Sequence, residues 1–265
     1  MKTSFNKTDY LYLLLFVALF LAISHSFFFQ SQTFYERDST LLETPVRLHV
    51  IQLLKEGNFA LWTDSNGQGQ PFLANMKTAA FYPTTWLYLF LPFFVAFKIH
   101  YLIHPIIGWI GMYLLGKSYC FSQKASFLAS SLFFFSGMYL SSFEFYNHIA
   151  AIAWMMWTLF LARLDRPLKS LTFFFNILVW VLLILAGAPE FIIIAGLLVL
   201  TQAFITKEAF NSYIFKLFVA VFLATLISAV QLIPSFEMLS QAERSPQAEL
   251  WPLELIQLNN LTFHG

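Results

Sequence analysis

Three groups of polar residues interrupt this apolar chain and carry side chains that could do chemistry. The first lies in the polar stretch after the first apolar segment, where Asp38 directly follows Arg37. A carboxylate held close to a membrane surface can act as a general base on an acceptor hydroxyl group. A guanidinium group can bind an anion with two parallel hydrogen bonds. Solvated loop charges are the alternative for both residues. We predict that Asp38 is catalytic and that Arg37 binds substrate.

The second and third groups lie at short polar breaks between long apolar segments. Glu144, Asn147 and His148 form one break, and Glu190 follows Pro189 in the other. Ionisable side chains near membrane depth are costly, so they often mark functional sites. The alternatives are that Asn147 and His148 satisfy backbone groups at a helix end and that Glu190 is an N-terminal helix carboxylate. We predict that these four residues bind substrate.

Cations in the first polar stretch form a further set of candidates, because a lysine or arginine can hold a phosphate or pyrophosphate group. They are Arg37, Arg47, Lys55 and Lys77. The alternative for each of them is a solvated surface charge. The sequence does not choose among the four, so we expect one of them to bind the anion.

Metal ligands are harder to find in this sequence. His100 and His104 are four residues apart, so they share one face of a helix. No metalloprotease pattern accompanies them and no third ligand lies within reach, so we predict that both histidines belong to the core or the membrane interface. Cys120 is the single cysteine, which excludes an internal disulfide and a cysteine-based metal site. The sequence does not decide whether the protein needs a metal.

Composition sets the class of protein in which these residues act. The chain has 265 residues, of which 58% are hydrophobic and only 11% are charged, whereas soluble domains carry about 25% charged residues. This composition excludes a soluble globular protein. The formal net charge of +1 gives no basis for nucleic-acid binding. We therefore predict an all-α polytopic membrane protein.

Long apolar segments run through most of the chain. The first, 10–29, is too long for the hydrophobic region of a signal peptide, and about 20 residues span the hydrocarbon core as a helix. We therefore predict an uncleaved first span, followed by an outer loop at 30–80. The remaining segments lie at 79–97, 99–116, 125–143, 149–164, 171–187, 191–205 and 213–233. Together they form one membrane domain, with six spans between 99 and 235 and a final outer loop at 236–265.

Basic residues decide between two arrangements of these segments, because cytoplasmic loops retain lysine and arginine. If every segment crosses and the N-terminus is cytoplasmic, only 4 of the 15 basic residues lie inside. If 79–97 enters the membrane without crossing it, 9 of the 15 lie inside. We therefore predict about seven transmembrane helices plus a re-entrant or jaw-like segment at 79–97. The first outer loop and the breaks at 144–148 and 187–190 then share the extracytoplasmic face.

Several short motifs, taken in order along the chain, resemble a known family. They include Gly69-Gln70-Pro71-Phe72-Leu73-Ala74-Asn75, Ala79-Ala80-Phe81-Tyr82-Pro83 and Leu185-Ala186-Gly187-Ala188-Pro189-Glu190. In this order they resemble the YfhO-like bacterial membrane proteins, which belong to the GT-C type glycosyltransferases. The first two motifs are the most specific part of the resemblance. YfhO-like proteins are much longer, so we expect this chain to be the N-terminal portion of such a protein.

The resemblance implies an activity and assigns roles. GT-C type enzymes take a sugar from a polyprenyl-phosphate donor and pass it to an acceptor outside the membrane, here a cell-envelope polymer or a glycolipid. Asp38 takes the place of their first-loop acid, and 79–97 takes that of a membrane-lying jaw helix. Glu144 could help to hold a divalent metal or a phosphate. The implied protein is a multi-pass cell-membrane enzyme with a cytoplasmic N-terminus and an extracytoplasmic active face.

Two other functions stay open on the sequence alone. A transporter or lipid flippase would place ionisable residues in the middle of its spans, facing a central cavity. The apolar segments of this chain are nearly free of charge, which disfavours that reading. A truncated, non-catalytic remnant would insert into the membrane without binding a lipid-linked sugar.

Overall fold

The computed structural model describes residues 5–30, 43–59, 61–64, 69–164, 168, 170–206 and 210–241. Of these residues, 81% are helical. Within them the extended pairing is limited to an isolated antiparallel bridge between Thr63 and Gln70. The predicted all-α class is confirmed for this part of the chain. Arg37 and Asp38, for which we predicted roles in the site, lie outside the described residues, as does 242–265 of the predicted final loop.

The described residues form twelve α-helices. They are α1 (Lys7–Ile23), α2 (His25–Phe29), α3 (Thr44–Lys55), α4 (Pro83–Trp86), α5 (Phe93–Ser118), α6 (Gln123–Phe134), α7 (Gly137–Ser141), α8 (Tyr146–Leu164), α9 (Leu171–Leu185), α10 (Pro189–Thr206), α11 (Phe210–Ile227) and α12 (Ala229–Gln241). Several of them begin at serine residues whose hydroxyl group accepts a hydrogen bond from a backbone N–H of the first turn. Ser122, Ser136 and Ser170 do so for α6, α7 and α9 at 3.2–3.3 Å.

Two helical segments of the described chain are long and apolar enough to cross a membrane, Phe93–Ser118 and Gln123–Glu144. A third is Ile214–Ile227 with Ala229–Gln241, if these two helices count as one span in spite of the 81° angle between them. Leu171–Leu185 and Pro189–Ile205 are apolar but shorter. These helices are consistent with a membrane protein.

The centre of the bundle is the contact between α5 and α8, and glycines on α5 make it close. A Cβ atom at Gly108 would lie 2.5 Å from the ring of Phe134 and 3.0 Å from the Cα of Ala153. A Cβ atom at Gly111 would lie 2.9 Å from the ring of Trp157. Small residues allow the backbones of membrane helices to approach each other. As a result, α8 lies directly along α5.

Polar contacts fix the direction of α1 and α2 relative to α5. At one end of α5, Lys98 Nζ donates to the carbonyl oxygens of Phe28 (3.3 Å) and Gln30 (3.0 Å). At the other end, Lys117 Nζ lies 2.8 Å from the buried carboxylate of Asp9. The chain therefore leaves α2 and enters α5 at the same end of the bundle. We call the end that carries Gln30 and Lys98 the loop end.

The predicted re-entrant segment 79–97 is not one continuous helix. It contains α4, a 3₁₀ turn at Leu87–Leu89 and the beginning of α5, which starts at Phe93 directly after Pro92. Proline has no backbone N–H to donate, so Pro92 marks the start of a new helix. Gln30 and Lys98, which lie before and after this segment in the chain, meet at the loop end. A broken helix between them is consistent with a segment that does not cross the membrane.

The segment predicted as the last span, 213–233, is bent in the structure. The helix α11 ends at Ile227, α12 begins at Ala229, and the two are bent by 81°. On α12, the buried Gln231 amide donates to the carbonyl oxygen of Leu73 at 2.7 Å. This hydrogen bond ties α12 to the loop end, and α12 continues to Gln241, beyond the predicted start of the final loop.

Candidate functional site

A cavity of about 710 Å³ opens at the loop end. Its volume falls in the range of roughly 300–1,000 Å³ that is common for small-molecule sites. One part of its lining is polar and consists of Glu43, Asn75, Lys77, Asn147, His148 and Glu190. The rest is mainly apolar and includes Ile184, Ile193, Val221, Leu232, Phe236 and Leu239. Since Ile193, Phe236 and Leu239 are also more than 60% exposed, the apolar part reaches the outer surface of the bundle.

His148 and Glu190 form a pair at the polar part of the cavity. His148 lies in the first turn of α8 and Glu190 in the first turn of α10, and the distance from Nε2 to Oε1 is 2.7 Å. The imidazole stacks on the ring of Phe145 with 4.6 Å between the ring centres. It also meets the edge of Phe191 at 5.1 Å. Two aromatic rings and one carboxylate therefore fix the orientation of this imidazole.

The protonation state of His148, which precedes the apolar segment 149–164, follows from its surroundings. Burial lowers the pKa of His148 below its usual value of 6.5. The charge of Glu190 raises this pKa and that of Lys77 lowers it, and the effect of burial prevails. The imidazole is therefore neutral at pH 7. Because a carboxylate can only accept a hydrogen bond, Nε2 carries the proton and Nδ1 keeps its lone pair.

Lys77 supplies a positive charge to the same cavity. It lies in the 3₁₀ turn Met76–Thr78, where its backbone N–H donates to the side chain of Asn75 at 3.0 Å. Its Nζ lies 3.6 Å from the carboxylate of Glu43, which is 5% exposed, whereas the Lys77 side chain is 48% exposed. An ammonium group in this position can bind an anion that enters the cavity.

Asn147 and Gly187 join the walls of the cavity. The Asn147 side chain is buried, and its amide donates to the carbonyl oxygen of Ala186. Gly187 has a φ of +82° and turns the chain from α9 into α10. A Cβ atom at Gly187 would lie far inside van der Waals contact with the carbonyl oxygen of Met76. The start of α10 is therefore held against the turn that carries Lys77.

Arg47, one of the four predicted anion-binding cations, is a buried structural residue. Its terminal nitrogens donate to the carbonyl oxygens of Thr78 and Lys77 and to the hydroxyl group of Thr85. The guanidinium group lies 4.2 Å from the centre of the Tyr146 ring, within the range of a cation–π contact. Arg47 is therefore not available to a ligand, and it connects α3 to the start of α8 instead.

His100 and His104 are core residues, and that prediction is confirmed. Both are buried. His100 contacts the hydroxyl group of Thr84 (2.7 Å) and the carbonyl oxygen of Tyr146 (3.0 Å), and His104 contacts the hydroxyl group of Tyr82 (2.7 Å). These bonds hold the α4 turn against α5, and His100 also joins α5 to the start of α8. Across the described residues, no group of three or more His, Cys, Asp or Glu side chains is arranged to hold a metal.

The structure brings together three of the residues predicted for the site, because Asn147, His148 and Glu190 line one cavity. Glu144 lies in the 3₁₀ turn before α8 and is not among the lining residues. The remaining two, Arg37 and Asp38, lie outside the described part of the chain. The two polar breaks therefore contribute to one cavity, whereas binding of a substrate there and the role of Asp38 stay predictions.

Sequence reasoning did not assign Glu43 and Asn75 to the site, and it left Lys77 as one of four equal cations. A usable signal was present in the Pro71-Phe72-Leu73-Ala74-Asn75 motif, since Ala74 and Asn75 line the cavity and Lys77 follows two residues later. Glu43 is not part of any such motif, so nothing in the sequence around it points to the cavity.

Comparisons of the chain with protein-family models, with curated proteins and with solved structures found no match. The functional argument therefore depends on the geometry of the cavity and on the motifs of the sequence.

Proposed function

We propose that the protein is a membrane glycosyltransferase that moves a sugar from a polyprenyl-phosphate donor to a cell-envelope acceptor, a polymer or a glycolipid. The observation that carries this proposal is the two-part lining of the cavity. Its polar part offers an ammonium group, an imidazole and carboxylates, and its apolar part extends to exposed side chains. A phosphate-linked sugar on a long hydrocarbon chain has the same two parts.

The motifs that resemble YfhO-like proteins support the same function. Two of them, 69–75 and 185–190, lie far apart in the sequence, yet each contributes residues to the cavity lining. In the proposed complex, Lys77 neutralises the phosphate of the donor. The hydrocarbon chain lies along Ile193, Phe236 and Leu239, and the sugar lies beside His148. Asp38 is proposed to act on the acceptor hydroxyl group, either by orienting it or by taking its proton. Whether a divalent metal also binds at the site is left open.

We further propose that the chain crosses the membrane about seven times, with the loop end outside the cytoplasm. The spans are 10–29, 99–116, 125–143, 149–164, 171–187, 191–205 and 213–233, and 79–97 is the jaw-like segment. The basic residues support this orientation, because nine of the 15 then lie in cytoplasmic segments. The contact of Lys98 with Gln30 supports a segment 79–97 that does not cross the membrane, since residues 30 and 98 lie at the same end of the bundle.

Thiol labelling tests this orientation. Native Cys120 is exposed and follows the end of α5 that carries Lys117, so it is expected to resist a membrane-impermeant maleimide in intact cells. Glu56→Cys in a Cys120→Ser background is expected to react, because residue 56 is exposed at the end of α3. Labelling of Cys120 from outside, with protection of position 56, would reverse the orientation and place the cavity in the cytoplasm.

Lys77→Met is expected to weaken binding of the donor by about 10- to 100-fold, because a hydrogen bond to a charged group contributes about 1.5–3 kcal/mol. The measurement is binding of a polyprenyl phosphate to the purified chain in detergent, by microscale thermophoresis. The matched control is Lys55→Met, since Lys55 is an exposed lysine of α3 that is not among the cavity residues. Equal affinities of both variants and the wild type would exclude Lys77 as the phosphate ligand.

Release of polyprenyl phosphate from a lipid-linked sugar tests the activity itself. We expect the wild-type protein to release it in the presence of a hydroxyl-bearing acceptor, together with a glycosylated product. Binding of polyprenyl phosphate without any transfer would overturn the enzymatic proposal and favour a flippase or a non-catalytic remnant.

A further inference from the structure

We propose that His148, held in place by Glu190, is the general base that takes the proton from the acceptor hydroxyl group. This assignment rests on the proposed glycosyl transfer and adds a catalytic pair to it. The first-loop acid Asp38 is the rival candidate for the same step, so the two assignments make different predictions.

The geometry of the pair is that of an oriented base. Glu190 Oε1 lies 2.7 Å from Nε2 of His148, and the two side chains come from the first turns of different helices. The rings of Phe145 and Phe191 restrict rotation of the imidazole. A carboxylate that orients an imidazole from its far nitrogen is the arrangement that activates the near nitrogen in hydrolases and transferases.

The other ring nitrogen is open to a ligand. Among the described residues, His148 Nδ1 has no hydrogen-bond partner, and the side chain is 25% exposed at the cavity lining. Glu190 and Lys77 are the charged groups that act on this imidazole, from α10 and from the 76–78 turn. Lys77, where the donor phosphate is proposed to lie, and His148 line the same cavity, so the proposed base shares the site with the proposed leaving group.

The step balances without any further reactant. The oxygen of the acceptor hydroxyl group forms a bond to the anomeric carbon, and its proton passes to Nδ1 of His148. The bond from the anomeric carbon to the phosphate oxygen breaks, and its electron pair stays on the polyprenyl phosphate. Glu190 stabilises the resulting imidazolium through the hydrogen bond at Nε2, and the proton then leaves to water.

This role predicts a specific pH dependence of the transfer rate. The base must be neutral, so the rate falls at acid pH as Nδ1 becomes protonated. Burial lowers the pKa of His148 from 6.5, so the midpoint of the acid limb is expected below pH 6.5 and the rate is expected to be level between pH 7 and 8.

The test compares four variants in the transfer assay with the full chain in detergent, using polyprenyl-phosphate glucose, galactose, mannose and N-acetylglucosamine as donor probes. His148→Gln is expected to lower kcat by about 100- to 10,000-fold, the usual contribution of a general base, with donor affinity within about threefold of wild type. Glu190→Gln is expected to lower kcat less and to shift the acid limb. His25→Gln is the matched control, because His25 is exposed on α2. Added imidazole is expected to restore transfer by His148→Gly.

The outcomes distinguish the His148–Glu190 pair from Asp38 as the base and from a failure of the proposed function. Wild-type kcat in His148→Gln, or an unchanged acid limb in that variant, would overturn the assignment. If Asp38→Asn abolishes transfer while His148→Gln retains it, the base is Asp38. If the wild-type protein releases polyprenyl phosphate from none of the four donors, the proposed function itself fails, and the assignment fails with it.

Discussion

Gly187→Ala is expected to destabilise the protein by roughly 3 kcal/mol or more and to abolish ligand binding at the cavity, because it combines two severe effects of single substitutions. The first is backbone strain, since alanine would have to adopt the φ of +82° that glycine has there. The second is a clash, since the new Cβ would overlap the Met76 carbonyl oxygen and would lie 2.5 Å from Nδ2 of Asn147. Neither neighbour can move away freely, because one is backbone and the other is fixed by its bond to Ala186.

The matched control is Gly196→Ala on α10. A Cβ at Gly196 has no atom within 4 Å, and alanine favours a helix by up to about 1 kcal/mol over glycine, so this variant is expected to be as stable as the wild type or slightly more stable. Thermal unfolding in detergent, followed by fluorescence, measures the stability of both variants. A Gly187→Ala protein that melts with the wild type would show that the start of α10 and the 76–78 turn do not touch in solution.

Arg47→Ala is expected to loosen α3 from the 77–85 turns and from the start of α8, at a cost of about 2–6 kcal/mol for two buried acceptors that lose their donor. The substitution leaves the carbonyl oxygens of Thr78 and Lys77 without their donor, and each buried acceptor that loses its hydrogen bond costs about 1–3 kcal/mol. It also removes the group that packs over the Tyr146 ring.

Limited proteolysis checks this expectation. Arg47→Ala is expected to expose α3 and the 77–85 turns to cleavage at protease concentrations that leave the wild type intact. Lys55→Ala on the same helix α3 removes an exposed cation and is expected to change nothing. An Arg47→Ala protein with wild-type resistance and melting temperature would mean that α3 is held by its apolar side chains, such as Val50 and Ile51, alone.

The sequence was informative where an ionisable residue lies in apolar surroundings. His148 and Glu190 could be predicted as partners in one site, because each interrupts a long apolar segment and the basic residues put both on one face. The non-continuous nature of 79–97 could also be anticipated, since its prolines and the count of basic residues disfavour a full span. These signals are local, so one sequence is enough to detect them.

The sequence could not distinguish Arg47 from Lys77, because the burial of a loop cation depends on distant partners. Tyr146 and Thr85 enclose Arg47, and nothing in the sequence near residue 47 predicts these contacts. The bend between α11 and α12 was not predicted from the sequence either. An apolar run predicts one straight helix, whereas the hydrogen bond from Gln231 to Leu73 joins residues 158 positions apart.

These long-range contacts impose an order on biogenesis. Residues 43–85 leave the ribosome before their partners on α8, α10 and α12 have been translated. Until Tyr146 is made, the guanidinium group of Arg47 has no ring to pack against, and until Gln231 is made, the Leu73 carbonyl has no amide donor from α12. The cavity is therefore completed only after the last of these helices has been made. A chain halted within α11 would contain α5 and α8 and still lack the wall of the cavity that Leu232, Phe236 and Leu239 of α12 form.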